Sequence, residues 1–360
     1  MHLGTAALLD FHSRHQDDEA LVLAVITGTR GSTYRKPGAM MLIAADESYE
    51  GLISGGCLEG DLLHHAQSVF EDGEPRPVVY DMHSEEDLVW GLGIGCDGVI
   101  ELLLLRLEGD QHRALFQGIR DSLAERRRVI FALAARPGVG VLAGSVATLD
   151  EAGGQYGDEG LLASARDQIE AGWPEHRLLH AGNAAGDVIL VNILPQPRIL
   201  LCGGGADAVP IAGQLASLGW RCMVTDRRPA YASADRFPAR TETLSCPAGA
   251  LEEAIDLSQF DAAVVMSHHL ESDAAYLRQL APLAASGTLR YLGVLGPTAR
   301  RKRLCEMAEA PDVLIHGPVG LDIGAELPEA IALAVAAEIH AVLNGRDGQS
   351  LTTGPLGDGG

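Results

Sequence analysis

Apolar positions along this chain fall into short runs separated by amphipathic stretches and glycine-rich punctuation. The opening MHLGTAALLDFHSRHQDDEA has the spacing of an amphipathic helix. The run LVLAVIT at 21–27 is predicted as a strand, and the loop GTRGSTYRKPG follows it. A second strand is predicted over 39–44. Residues 51–54 then lead into SGGCLEGDLLHHAQSVFEDG, a glycine-rich turn opening a helix. Further strands are predicted at 75–80 and 99–107, the latter preceded by GLGIGCDG. A polar helix over 110–128 and strand-like runs at 129–134, 144–149 and 188–194 complete a first segment. No internal repeat is visible.

PQPR at 195–198 interrupts the pattern and suits a linker. Beyond it the alternation is regular, with strands at 198–202, 220–226, 261–267, 289–295 and 312–315. Helices are predicted at 206–218, 248–256, 272–285, 298–309 and 328–343. Repeated strand–helix units with apolar strands imply an open parallel sheet. The predicted organisation is an N-terminal α/β domain over 1–195, a parallel-sheet domain over 196–345 and a glycine-rich disordered tail over 346–360.

The second domain carries the most specific local pattern. In RILLCGGGADAVPIAGQLASLGWRCMVTDRRP, Gly203, Gly205 and Ala208 match G-x-G-x-x-A between a strand and a helix, and Asp226 ends the next strand. This order defines a Rossmann-like fold, in which Gly205 lets a ligand approach the backbone and Asp226 meets a ribose hydroxyl. Asp207 lies within the loop, where its charge opposes a phosphate, and its expected role is to cap the helix. Arg227 and Arg228 offer phosphate-binding cations or remain solvated. Ligands of such sheets sit beyond the carboxyl ends of the strands, which places His268 and His269 of MSHHLESD at the rim. Asp322, in HGPVGLDIGAELPEA, either meets ligand or caps a turn, and Pro328 suits a helix first turn.

Composition narrows the functional classes. The 360 residues carry 49 acidic and 27 basic side chains, a formal charge of −22. Such a surface repels phosphate backbones and anionic lipid heads, so nucleic-acid and membrane roles are not expected. No apolar stretch is long enough to span a bilayer, and the N-terminus lacks the pattern of a signal peptide. Six cysteines in this length are no disulfide scaffold and point to free thiols in a reducing cytoplasm.

Two of those cysteines stand out. Cys57 lies in SGGCLEG at a predicted helix start, where free N–H groups favour a thiolate, and Cys96 lies in GIGCDG. They are candidates to bind a soft metal or sulfur centre, or to carry a persulfide; the alternative is that each is a small buried hydrophobe. Glu59 either complements the helix dipole or exchanges protons with a cofactor. Arg35 and Lys36 form a small basic patch. Cys202 and Cys222 on strands, Cys305 on a helix and Cys246 in a loop read as structural.

Taken together, the stretches GSTYRKPGAMML, GLISGGCLEG, GLGIGCDG, CGGGADAVPIAGQLASLGW, TDRRP, VVMSHHLESD, YLGVLGPTARRKRL and HGPVGLDIGAELPEAIALAVAAEIHAVL resemble the XdhC/CoxI family. They cover most of 20–345, with no matching motif over 108–195. The resemblance implies a molybdenum cofactor (molybdopterin, with its cytosine dinucleotide form as a variant). The cofactor would be protected, sulfurated with help from a cysteine desulfurase and delivered to an apo xanthine dehydrogenase-type enzyme. It also implies a homodimer, and it places the family's cysteines at Cys57 and Cys96 as molybdenum ligands. Ser54 stands where the family often has glycine. Two other readings compete: an NAD(P)- or FAD-dependent oxidoreductase with His268 as proton donor, and a sulfurtransferase cycling Cys57 through a persulfide.

Overall fold

The computed structural model describes residues 2–82, 98–138, 140–173, 178–183 and 186–350. The chain divides into two compact units, Met1–Pro195 and Gln196–Gly360.

The first unit opens with α1 (His2–Arg14), β1 (Ala20–Gly31), β2 (Met40–Ile43), β3 (Tyr49–Gly51), α2 (Glu59–Asp72), β4 (Arg76–Asp81) and β5 (Gly98–Glu108). It continues with α3 (Gly109–Ala124), β6 (Val129–Arg136), β7 (Val146–Asp150), β8 (Gln155–Gly157), α4 (Glu159–Ala171), β9 (Leu178–Asn183) and β10 (Gly186–Ile193). The strands form two antiparallel sheets ordered β3-β2-β1-β5-β4 and β8-β7-β6-β10-β9. The second order is the first shifted by one set of elements, and each half is a helix, three strands, a helix and two strands. The unit is therefore a duplicated topology, which no sequence repeat announces. Sequence reading missed β8, α4 and β9, which lie between the predicted strands at 144–149 and 188–194.

The layers explain the apolar runs. Leu21, Leu23 and Val25 of β1 face a core shared with Phe131 and Leu133 of β6, while Val22, Ala24 and Ile26 face Leu62, Ala66 and Val69 of α2. In the second half Ile130, Ala132 and Ala134 face Leu161, Leu162 and Ala165 of α4 in the same way. Each sheet is buried on both sides, so its central strands are apolar at consecutive positions rather than alternating.

The helices that open the two halves are tied by a buried polar relay. The Arg120 guanidinium, which can only donate, bonds His12 Nδ1 at 2.7 Å. His12 must then donate from Nε2 to His112 Nδ1 at 2.9 Å, and His112 donates from Nε2 to the Asp18 carbonyl at 3.0 Å. The relay works only with both imidazoles neutral. Burial, then Arg120, lowers His12 to about 4, and burial also lowers His112.

The second unit comprises β11 (Arg198–Cys202), α5 (Ala208–Ser217), β12 (Arg221–Thr225), β13 (Thr241–Leu244), α6 (Leu251–Ala254), β14 (Ala262–Val265), α7 (Leu270–Ala285), β15 (Tyr291–Val294), α8 (Thr298–Met307) and α9 (Pro328–Leu343). Its sheet is parallel throughout, in the order β13-β12-β11-β14-β15. Ile211 and Leu215 of α5 pack with Val335 and Ile339 of α9 on one face. Leu277 and Leu280 of α7 and Leu304 of α8 cover the other.

Three expectations change here. Residues 312–315 form no strand: His316 alone bridges to Gly293, between Pro311 and Pro318, and Leu314 is exposed. The helix expected over 248–256 shrinks to α6 between two short 3-10 turns. The polar segment at 241–244 is an edge strand, half-buried, which its composition does not signal. Among the described residues no helix is long and apolar enough to cross a membrane. The tail's last residues, 351–360, lie outside the described set.

Candidate functional site

In the first unit, residues 52–58 link β3 to α2 and carry Cys57. Gly51 closes β3 at a φ of 111°, where a Cβ would lie 2.3 Å from the Met40 carbonyl oxygen. Ile53 and Leu58 are buried anchors, and Gly55, Gly56 and Cys57 stand exposed between them. Gly55 and Gly56 take φ values of 90° and 110°, a backbone that side-chain-bearing residues rarely adopt. The Tyr34 ring lies 3.6 Å from where a Gly55 Cβ would stand.

Glu59 holds this loop together. Its carboxylate, 2% exposed, accepts from the Ile53 and Ser54 amides at 2.9 Å each, the Gly56 amide at 3.0 Å and the Ser54 hydroxyl at 2.6 Å. Burial works against its ionisation, but the bonds from Ser54 and Ile53 outweigh it and hold the carboxyl below its ordinary range. A carboxylate so engaged is a clamp; the expected proton exchange finds no free oxygen. Ser54 Oγ in turn accepts from the Cys57 and Leu58 amides at 3.0 and 2.8 Å. The N–H groups expected to face the thiolate are thus partly taken by Ser54.

Cys96 lies outside the described residues. Among those described, no group of three His, Cys, Asp or Glu side chains gathers as metal ligands. Arg35 lines a mostly apolar cleft of about 400 Å³ with α1, Glu50, Gly51 and Leu52, beside the start of the Cys57 loop. Burial pushes the Cys222 thiol up to about 12 and raises those of Cys202 and Cys305, as suits structural thiols.

In the second unit, Asp226, Arg227, Arg228, Ser267, His268, His269, Ser272 and Tyr276 line a cleft of about 260 Å³ beyond the carboxyl ends of β12 and β14. Sequence reading missed Ser267, Ser272 and Tyr276; their only signal is nearness to the rim histidines. Gly203, at a φ of 129°, packs so closely that a Cβ would meet Ser267 Cα at 2.6 Å. A Cβ on Gly204 would lie 2.0 Å from the Tyr231 carbonyl oxygen. Gly205 has ordinary room, with His268 at 3.8 Å.

Asp226 is not free for a ribose. Its buried carboxylate accepts from the Gly204 amide at 3.0 Å and from the Arg228 amide, Nε and Nη2, each at 2.9 Å. Burial raises its pKa, but the Arg228 and Gly204 bonds prevail and hold it below the usual carboxylate range. Arg228, so engaged, also lies over the Tyr231 ring at 3.6 Å. Arg227 is exposed and makes no ion pair among the described residues.

Asp207 precedes α5 but makes no capping bond. It pairs with His268 Nε2 at 3.2 Å across the rim. His268 holds a φ of 61°, uncommon for a non-glycine residue. His269 caps α7, its Nδ1 accepting from the Ser272 amide at 3.3 Å. Asp273, fully buried, accepts from the Ser267 amide at 3.0 Å and pairs with Arg300 at 2.6 Å, which sets the backbone under the two histidines. Asp322 is exposed and is not among the residues lining the cleft.

With these two sites described, sequence comparison supplies the class. The family described as XdhC and CoxI matches residues 15–81, and the XdhC Rossmann domain matches residues 199–339. The chain belongs to the XdhC and CoxI family. A Bacillus subtilis protein, named as a probable xanthine dehydrogenase subunit, is 33% identical over 326 residues, covering 90% of this chain and 93% of that protein. The Escherichia coli molybdenum cofactor insertion chaperone PaoD is 25% identical over 330 residues, covering 89% of this chain and 83% of its own length. A solved structure described as a xanthine dehydrogenase from Bacillus halodurans superposes with a TM-score of 0.77 at 29% identity, covering 98% of both chains.

Proposed function

We propose that this protein binds a molybdenum cofactor and delivers it to an apo-enzyme of the xanthine dehydrogenase class. In this reading Cys57 is the sulfur donor that the first unit supplies, and the rim cleft of the second unit is the anion-binding candidate. An exposed thiol between two flexible-backbone glycines and a buried clamp is suited to ligate a soft metal or pass sulfur. Arg227 is the cation of the cleft without an ion pair among the described residues. Sulfuration assisted by a cysteine desulfurase, cytoplasmic location and a homodimeric state belong to the same proposal.

The observation that carries it is the Cys57 loop itself. The second half of the first unit makes the equivalent strand-to-helix junction with Asp158 alone, so the fold does not require residues 52–58. The name of the PaoD relative supports the choice of ligand. The oxidoreductase alternative is weakened because both oxygens of Asp226 are engaged and a ribose would have to displace Arg228.

The test is to purify wild type, Cys57→Ala and Cys96→Ala from cofactor-competent cells and quantify molybdenum and pterin. Wild type is expected to carry both. Cys57→Ala should lose about tenfold or more, the scale on which losing even a supporting partner weakens a metal site. Full retention by Cys57→Ala would remove the thiol from the reading, and wild type devoid of both would end it.

A further inference from the structure

The rim cleft contains a contradiction. It offers Arg227, His268, His269, Ser267 and Ser272 to a ligand, yet one of these, His268, is bonded to the carboxylate of Asp207 on the adjoining glycine-rich loop. A fixed anion there opposes a phosphate. The expected use of that anion, capping α5, is not made. Its side chain reaches instead to His268, whose ring is 60% exposed and whose backbone holds a positive φ.

We infer that His268 exchanges partners: it pairs with Asp207 as seen here and turns to a phosphate group when ligand enters, so that Asp207 is a built-in competitor for the same cation. This deepens the reading above and rests on its premise that the rim binds an anion. An imidazole can serve a dianion as a cation only when protonated, and histidine is the side chain that changes charge near neutrality. A protonated His268 would add a second cation to the rim beside Arg227, whose charge does not vary.

The charged surroundings of His268 are mixed. Asp207 faces it from the glycine-rich loop. Asp226, Arg227 and Arg228 share the cleft from the segment after β12, with Asp226 already neutralised by Arg228. From the start of α7 come His269, Glu271 and Asp273, the last paired with Arg300. Asp207 is the carboxylate here whose bonded partner is His268 itself.

The experiment titrates the full chain, wild type and variants, with inorganic phosphate at pH 6 and with sulfate, whose charge is constant, at pH 6 and pH 8. Wild type should bind sulfate about tenfold more weakly at pH 8, because a neutral imidazole drops out. Asp207→Asn should tighten phosphate binding about fivefold, the upper scale of an exposed ion pair, and keep the pH dependence. His268→Asn, chosen because asparagine tolerates a positive φ, should weaken binding and abolish that dependence. Cytidine diphosphate beside inorganic phosphate distinguishes a diphosphate bridge from a single phosphate ester as the source; the Asp207→Asn gain is expected with whichever binds. No gain in Asp207→Asn with either probe, or a pH dependence that survives in His268→Asn, overturns the exchange. Absence of molybdenum from the purified protein with the Asp207→Asn gain intact would sink the cofactor reading and leave the exchange standing.

Discussion

Between the third strand and the following helix, the two halves of the first unit diverge. Gly51 and Gly157 end equivalent strands with φ values of 111° and 106°, and a Cβ on either would lie 2.3 or 2.2 Å from a neighbouring carbonyl oxygen. Both following helices begin Glu-Gly, at 59–60 and 159–160. From there the resemblance ends. In the second half Asp158 caps α4 by accepting from the Gly160 and Leu161 amides, and Glu159 lies in solvent. In the first half seven positions, 52–58, intervene and the corresponding glutamate is buried as a clamp. One topology thus supports a plain junction and an elaborated one. Burying a carboxylate costs free energy unless it is fully bonded, and both oxygens of Glu59 are bonded by the 52–58 loop that the second half lacks.

The shared framework predicts equal damage in both halves. Gly51→Ala and Gly157→Ala should each lose about 3–4 kcal/mol, since positive φ and a backbone clash combine; urea unfolding of the two variants checks this. A much smaller loss in one would break the equivalence. The next effect acts where the halves meet. His12 and His112 both have folded-state pKa values below the ordinary one, so their contribution is complete above about pH 6.5 and is lost as pH falls toward 4. Wild type should lose about 2–3 kcal/mol between pH 7.5 and 4.5 beyond what His12→Gln loses over the same range. Identical pH slopes in the two proteins would show that the relay does not join the helices.

A sharper contrast separates the clamp from its exposed counterpart. Glu59→Ala leaves buried amides unsatisfied and should cost about 2 kcal/mol, against less than about 0.5 kcal/mol for Glu159→Ala. Denaturation midpoints decide it, and equal costs would remove the distinction drawn between the junctions. A smaller loss than at Glu59, about 1 kcal/mol, is expected for Asp158→Ala, from loss of a helix cap. A change within error would mean that the plain junction does not depend on its cap.

Local signals account for what was readable in the chain. The Rossmann-like loop was legible because glycines, a strand and a helix occur in fixed order within one short segment, and Pro328 does begin α9. The rim position of His268 and His269 followed from their place after a strand. The cysteine loop was visible as glycine punctuation around Cys57. Roles decided by distant partners were not. Asp207 looked like a cap and is paired with a residue far along the chain. Asp226 looked available and is closed by Arg228 and Gly204. Glu59 looked like a dipole partner and is a buried clamp.

The sequence by itself determined the identity and order of most elements, the parallel sheet and the candidate thiol, because periodicity, glycine placement and turn chemistry act over a few residues. Tertiary structure alone decided the duplication, the neutral His12–His112 relay and the partners of each rim carboxylate. Strand pairing and buried hydrogen bonds join residues far apart in the chain, and their energies depend on burial that no local pattern records.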